Sequence, residues 1–84
     1  MTGKDLRKIR EDLGVSPLRF GRAIGTFGET TSVQKTMWRY ESGNRTIPHS
    51  VAILALIAKR NRYGLKILED AAEQNAALYI IKVV

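Results

Sequence analysis

The sequence predicts an all-α fold: a compact bundle of about five short helices, with a C-terminal tail that is either a strand or further helix. Three observations predict it. Apolar residues recur at three- and four-residue spacing through successive segments. Helix-start chemistry precedes those segments, in Thr2 with Asp5, in Ser16-Pro17 and at Pro48. Glycines then close them, at Gly14, Gly25, Gly43 and Gly64.

Taken in order, Thr2 and Asp5 form a capping box for a first helix with Leu6, Ile9 and Leu13 as its apolar stripe. Gly14 stops it. Ser16 caps a second helix with Pro17 at its first position, and Phe20, Ala23 and Ile24 as its inward face. The stretch GTFGETTS (25–32) has no clear period and reads as loop. Thr31 or Ser32 would cap a third helix from about Val33 to Ser42. Pro48 restarts the chain into a fourth helix with VAILALIA (51–58) as its buried body, and the basic KRNRYG closes it. Leu65 to about Ala77 reads as a fifth helix, with Leu65, Leu68, Ala72 and Ala76 on one side. The tail LYIIKVV (78–84) is β-branched enough for a strand, yet could continue helix five.

Eighty-four residues, 44% of them hydrophobic, suit a soluble domain with one modest core. No cysteine is present, which removes disulfides and thiolate metal sites and fits a reducing cytoplasm. The charged start MTGKDLRKIRED lacks the apolar core of a signal peptide. The longest apolar run is too short to span a bilayer, so no membrane partner is expected.

The net charge is +6, unevenly spread. Residues 1–66 hold 13 Lys/Arg against 5 Asp/Glu, a net of +8; residues 67–84 hold one lysine against three acids, a net of −2. A basic body points to a polyanionic partner, most often nucleic acid, though charge alone also serves solubility.

The segment VQKTMWRYESG (33–43) sharpens this. On a helical wheel Val33, Thr36, Met37 and Tyr40 share one sector. Gln34, Lys35, Trp38, Arg39 and Ser42 share the other. These are groove-reading side chains: glutamine bonds adenine, arginine or lysine bonds guanine, and an apolar surface meets the thymine methyl. A mixed-charge helix face in plain solvent has the same composition. Trp38 could also pack under the tail or on a partner protein. The helix by itself leaves these readings open.

The stretch LRKIREDLGVSPLRFGRAIG (6–25) resembles the opening of the lambda repressor/Cro-like helix-turn-helix family of phage repressors and related bacterial regulators. Leu6, Ile9, Arg10, Gly14, Val15, Ser16, Phe20, Ile24 and Gly25 stand at matching places, and Gly21 takes the small-residue position. YESGNR (40–45) resembles the Trp-Glu-x-Gly-x-Arg stretch that closes that family's recognition helix. The match covers about residues 4–58. It implies a helix-turn-helix DNA-binding domain over 1–66, and leaves 67–84 as a C-terminal helix and tail that would serve dimerisation.

By position, the resemblance makes Gln34, Lys35, Trp38 and Arg39 the candidates for base contact. Arg19, Arg22, Ser32, Asn44 and Arg45 become candidates for the DNA backbone. For Arg19 and Arg22, simple solvated charge is an equal reading. Two departures stand out. The span from Gly25 to Tyr40 is about six residues longer than the family's usual one, and the extra material could lengthen the turn, extend the third helix or reach along the DNA. Pro17 replaces the glutamine that in the family contacts phosphate. Glu41 is expected to brace a nearby arginine such as Arg10, and His49 to be a helix-start surface residue.

The function expected is a sequence-specific DNA-binding transcriptional regulator: a cytoplasmic, phage or bacterial, homodimeric repressor of a palindromic operator on double-stranded DNA. Leu68, Ala72, Leu78, Tyr79, Ile80 and Ile81 would form the dimer surface, unless the tail closes the monomer's own core. The alternative is an antitoxin that autoregulates its operon and binds a toxin partner through the tail. With one histidine and no nucleophile–base set, P-loop, GxSxG or HExxH, no enzyme activity, cofactor or metal is expected.

Overall fold

The computed structural model describes residues 1–83 except Phe27 and Arg62, with only the backbone described for residues 79–83. Among the described residues there are five helices and no strand: α1 (Gly3–Leu13), α2 (Pro17–Ala23), α3 (Thr30–Ser42), α4 (His49–Arg60) and α5 (Gly64–Val83). None is long and apolar enough to cross a membrane.

The first two helices start where the sequence places them. Thr2 Oγ1 accepts from the Asp5 amide at 3.1 Å, while the Asp5 carboxylate accepts from the Thr2 amide at 2.9 Å. The Thr2 amide, and after it the Thr2 hydroxyl, hold the Asp5 carboxyl below its ordinary value. The Ser16 hydroxyl accepts from the Arg19 amide at 3.2 Å, and Pro17 opens α2.

α3 begins about one turn earlier than the sequence predicts. Neither Thr31 nor Ser32 is its cap. Glu29 occupies that position without a side-chain bond, and its carbonyl accepts from the Val33 amide at 3.0 Å. The long span between α2 and α3 therefore divides into a six-residue connection, 24–29, and an added helical turn. An acidic residue beside a helix N-terminus is favoured by the helix dipole. Gly43 ends α3 with φ of 81°, a left-handed conformation that a side chain disfavours.

The tail is helical, not a strand: α5 continues to Val83. Its β-branched residues extend an existing helix, whose propagation is easier than a new start. α4 also departs from expectation. Val51, Ala55 and Ala58 are buried, but Ile53, Leu56 and Ile57 remain 43–47% exposed. α4 packs chiefly on α5 and α1, which leaves part of its apolar circumference open to solvent.

The core draws on every helix. Leu6, Phe20, Ile24, Val33 and Met37 are fully buried, each worth roughly 1.5–3 kcal/mol of transfer free energy. Tyr40, Ala55 and Leu65 join them, with Leu13, Ile47, Leu54 and Leu68 packed around the edge. α2 crosses α3 at Gly21. A Cβ there would lie 2.8 Å from both Met37 Cγ and Val33 Cγ1, so the crossing requires glycine's missing side chain.

Candidate nucleic-acid interface

α3 carries the candidate site. Its inward anchors are Val33, Met37 and Tyr40, all buried, with Thr36 half-buried. The Thr36 hydroxyl donates to the Ser32 carbonyl at 2.9 Å, which satisfies it within the helix. The wheel rotation read from the sequence holds: Gln34, Lys35, Trp38, Arg39 and Ser42 are exposed. Trp38 is 63% exposed, the most open of the large apolar side chains described. An indole that exposed gains little from the fold.

α3 is fixed in rotation by an ion pair. Arg10 Nε donates to Glu41 Oε2 at 2.8 Å and Arg10 Nη2 to Glu41 Oε1 at 3.0 Å. Arg10 Nη1 also donates to the Val15 carbonyl at 3.2 Å. One guanidinium thus ties α1, the α1–α2 turn and the end of α3, and its own pKa is raised by the Glu41 bonds. This is the brace expected of Glu41, and it limits how far the Trp38 face can turn.

A cleft of about 450 Å³ opens beside that face, between α1, the start of α2 and α3, and its lining includes Arg7, Pro17, Gln34 and Trp38. Arg7 escaped the sequence reading because its spacing to Glu11 marks it as a helical ion pair. The pair exists, at 2.8 Å, with both side chains more than half exposed, and so leaves the Arg7 charge at the cleft. Pro17 stands in the same cleft where the resembled family carries glutamine.

The candidate backbone contacts divide. Arg45 and Asn44 are exposed after α3, with the Arg45 guanidinium 5.7 Å from the centre of the Tyr40 ring. Ser32 is exposed in the first turn of α3. Arg22 Nη2 donates to Thr30 Oγ1 at 3.2 Å, across the α2–α3 connection. Arg19 is engaged instead with α5: its Nε and Nη2 donate to the two Glu69 carboxylate oxygens at 2.8 and 3.0 Å. That grip raises the Arg19 pKa and lowers the Glu69 pKa. Sequence spacing gave no sign of a pair 50 residues apart.

Three of the candidate dimer residues have described side chains, and these three differ in surroundings. Leu68 packs on the monomer's own core. Ala72 lines a cavity between α2 and α5. Leu78 is 59% exposed. The side chains of Tyr79, Ile80 and Ile81 lie outside the described residues. Ile67, not among the candidates read from the sequence, is 60% exposed on α5. His49 is exposed at the first position of α4, as expected. Among the described residues no group of three or more His, Cys, Asp or Glu could hold a metal ion.

No protein-family model, curated protein or solved structure matches this chain.

Proposed function

We propose that the chain is a sequence-specific DNA-binding transcriptional regulator, of the helix-turn-helix class that residues 4–58 resemble, acting as a repressor by occupying an operator. The supporting observation is the outward face of α3. An amide, two cations and an indole stand together in solvent at Gln34, Lys35, Arg39 and Trp38, on a helix whose other side is locked by Met37, Tyr40 and the Arg10–Glu41 brace. A rigid helix presenting this set fits the major groove. The brace matters because base readout needs side chains held in register.

Arg45 and Arg7 then supply phosphate contacts on either flank, while Arg19 is assigned to holding α5. One such domain covers little DNA, so a homodimer on inverted half-sites is the expected assembly. Its contact surface would be drawn from the exposed apolar residues Ile67 and Leu78 of α5. Bound across a promoter, the dimer would exclude RNA polymerase.

Selection of bound duplexes from a random pool tests the reading. A palindromic consensus is expected, and recovery of unenriched sequence would refute it. On the selected site, Arg39→Ala and Gln34→Ala should each cost about 1–3 kcal/mol while sparing random DNA.

A further inference from the structure

A second cavity, of about 550 Å³, lies away from the Trp38 cleft, between α2, the turn that follows it and α5. That volume falls in the range of small-molecule sites. Leu18, Ala23, Ala72 and Ala76 give it an apolar floor. The Arg19–Glu69 pair stands at the same cavity and cancels its own charge.

Two charges there are not cancelled. Arg22 and Glu73 both line the cavity, yet no ion pair joins them, and Glu73 has no ion-pair partner among the described residues. Arg22 uses one nitrogen on Thr30 and keeps further N–H donors. A third feature is independent of charge. Thr26 Oγ1, also at this cavity, is buried without a hydrogen-bond partner. Buried hydroxyls are nearly always satisfied, so an unsatisfied one in the cavity wall is unusual.

We propose that this cavity binds a small zwitterion carrying an apolar group, of which an amino acid is the simplest case. Its carboxylate takes hydrogen bonds from the Arg22 guanidinium. Its ammonium meets the Glu73 carboxylate. Its apolar part lies on the alanine floor. A simple anion would face Glu73 unpaired, and a simple cation would face Arg22; only a molecule with both charges satisfies the two. The site stands whether or not α3 reads DNA.

The test is titration of the whole chain, followed by amide ¹H–¹⁵N shifts, with three zwitterions of different charge spacing: L-leucine, L-phenylalanine and 6-aminohexanoate. Their single-charge counterparts are 3-phenylpropionate and 2-phenylethylamine. At least one zwitterion should give saturable shifts centred on residues 16–28 and 69–76, about tenfold tighter than either counterpart. Arg22→Gln and Glu73→Gln should each weaken that zwitterion about tenfold. Both side chains are exposed, so neither change threatens the fold. Absence of saturation with all three, shifts centred elsewhere, affinities equal to the single-charge compounds, or indifference to both substitutions would each overturn the proposal.

Discussion

Arg10 and Arg19 grip a glutamate in the same two-point way, at 2.8 and 3.0 Å, but in different surroundings. The Arg10–Glu41 side chains are 15% and 11% exposed; those of Arg19–Glu69 are 56% and 30% exposed. Equal geometry does not mean equal consequence. In the first pair water is largely excluded, so losing one partner strands a charge in a poor solvent. In the second, water and salt screen both ions, and the net worth is small. The first pair fixes how α3 is turned. The second ties α5 to α2 beside a cavity.

The largest effect should come from breaking the shielded pair. Glu41→Ala is expected to destabilise the chain by about 3 kcal/mol, because Arg10 then keeps only the Val15 carbonyl. Urea denaturation measures it. A loss no greater than that of Glu69→Ala would abolish the distinction drawn here. Next in size is the seat of α3 on α2: Gly21→Ala forces a Cβ against Val33 and Met37, and should cost about 1–3 kcal/mol in the same measurement.

Removal of the open pair should do less. Glu69→Ala is expected to cost below about 1 kcal/mol, and less still in high salt. Its pH dependence has a definite sign. Arg19 holds the folded-state Glu69 pKa below its ordinary 4.5, so the contribution is present above that value and lost as pH falls through the lower, folded one. Acid titration of Glu69→Gln should show a smaller loss of stability below about pH 4.5 than the parent chain. Identical acid profiles would mean the pair contributes nothing. The smallest effect on stability belongs to Trp38→Ala, within about 0.5 kcal/mol by thermal melting. A large drop would mean that the indole supports the fold after all.

Local chemistry made much of this architecture readable. Thr2–Asp5, Ser16-Pro17 and Gly43 are short-range signals, and each sits at the boundary it marks. The α3 face was legible because Val33, Met37 and Tyr40 share a helical sector. The start of α3 was not, since Glu29 caps it with backbone alone. The tail stayed ambiguous in the sequence because β-branched residues favour strands in isolation, whereas here a helix is already running. The α4 run looked buried because composition does not reveal that Ile53, Leu56 and Ile57 stay partly open to solvent. The α2–α5 cavity was invisible for a related reason. Arg22 and Glu73 belong to elements far apart in the chain, and only packing brings them together.

Trp38 has one last consequence. As the chain's single indole, it is the dominant intrinsic fluorophore, and it stands 63% exposed on α3 rather than in the core. Its emission should therefore barely register unfolding, since solvent surrounds the ring before and after. It should respond instead, in colour and intensity, whenever something settles onto that helix. The molecule carries its own optical sensor at the surface where a partner is expected, and needs no added label to report it.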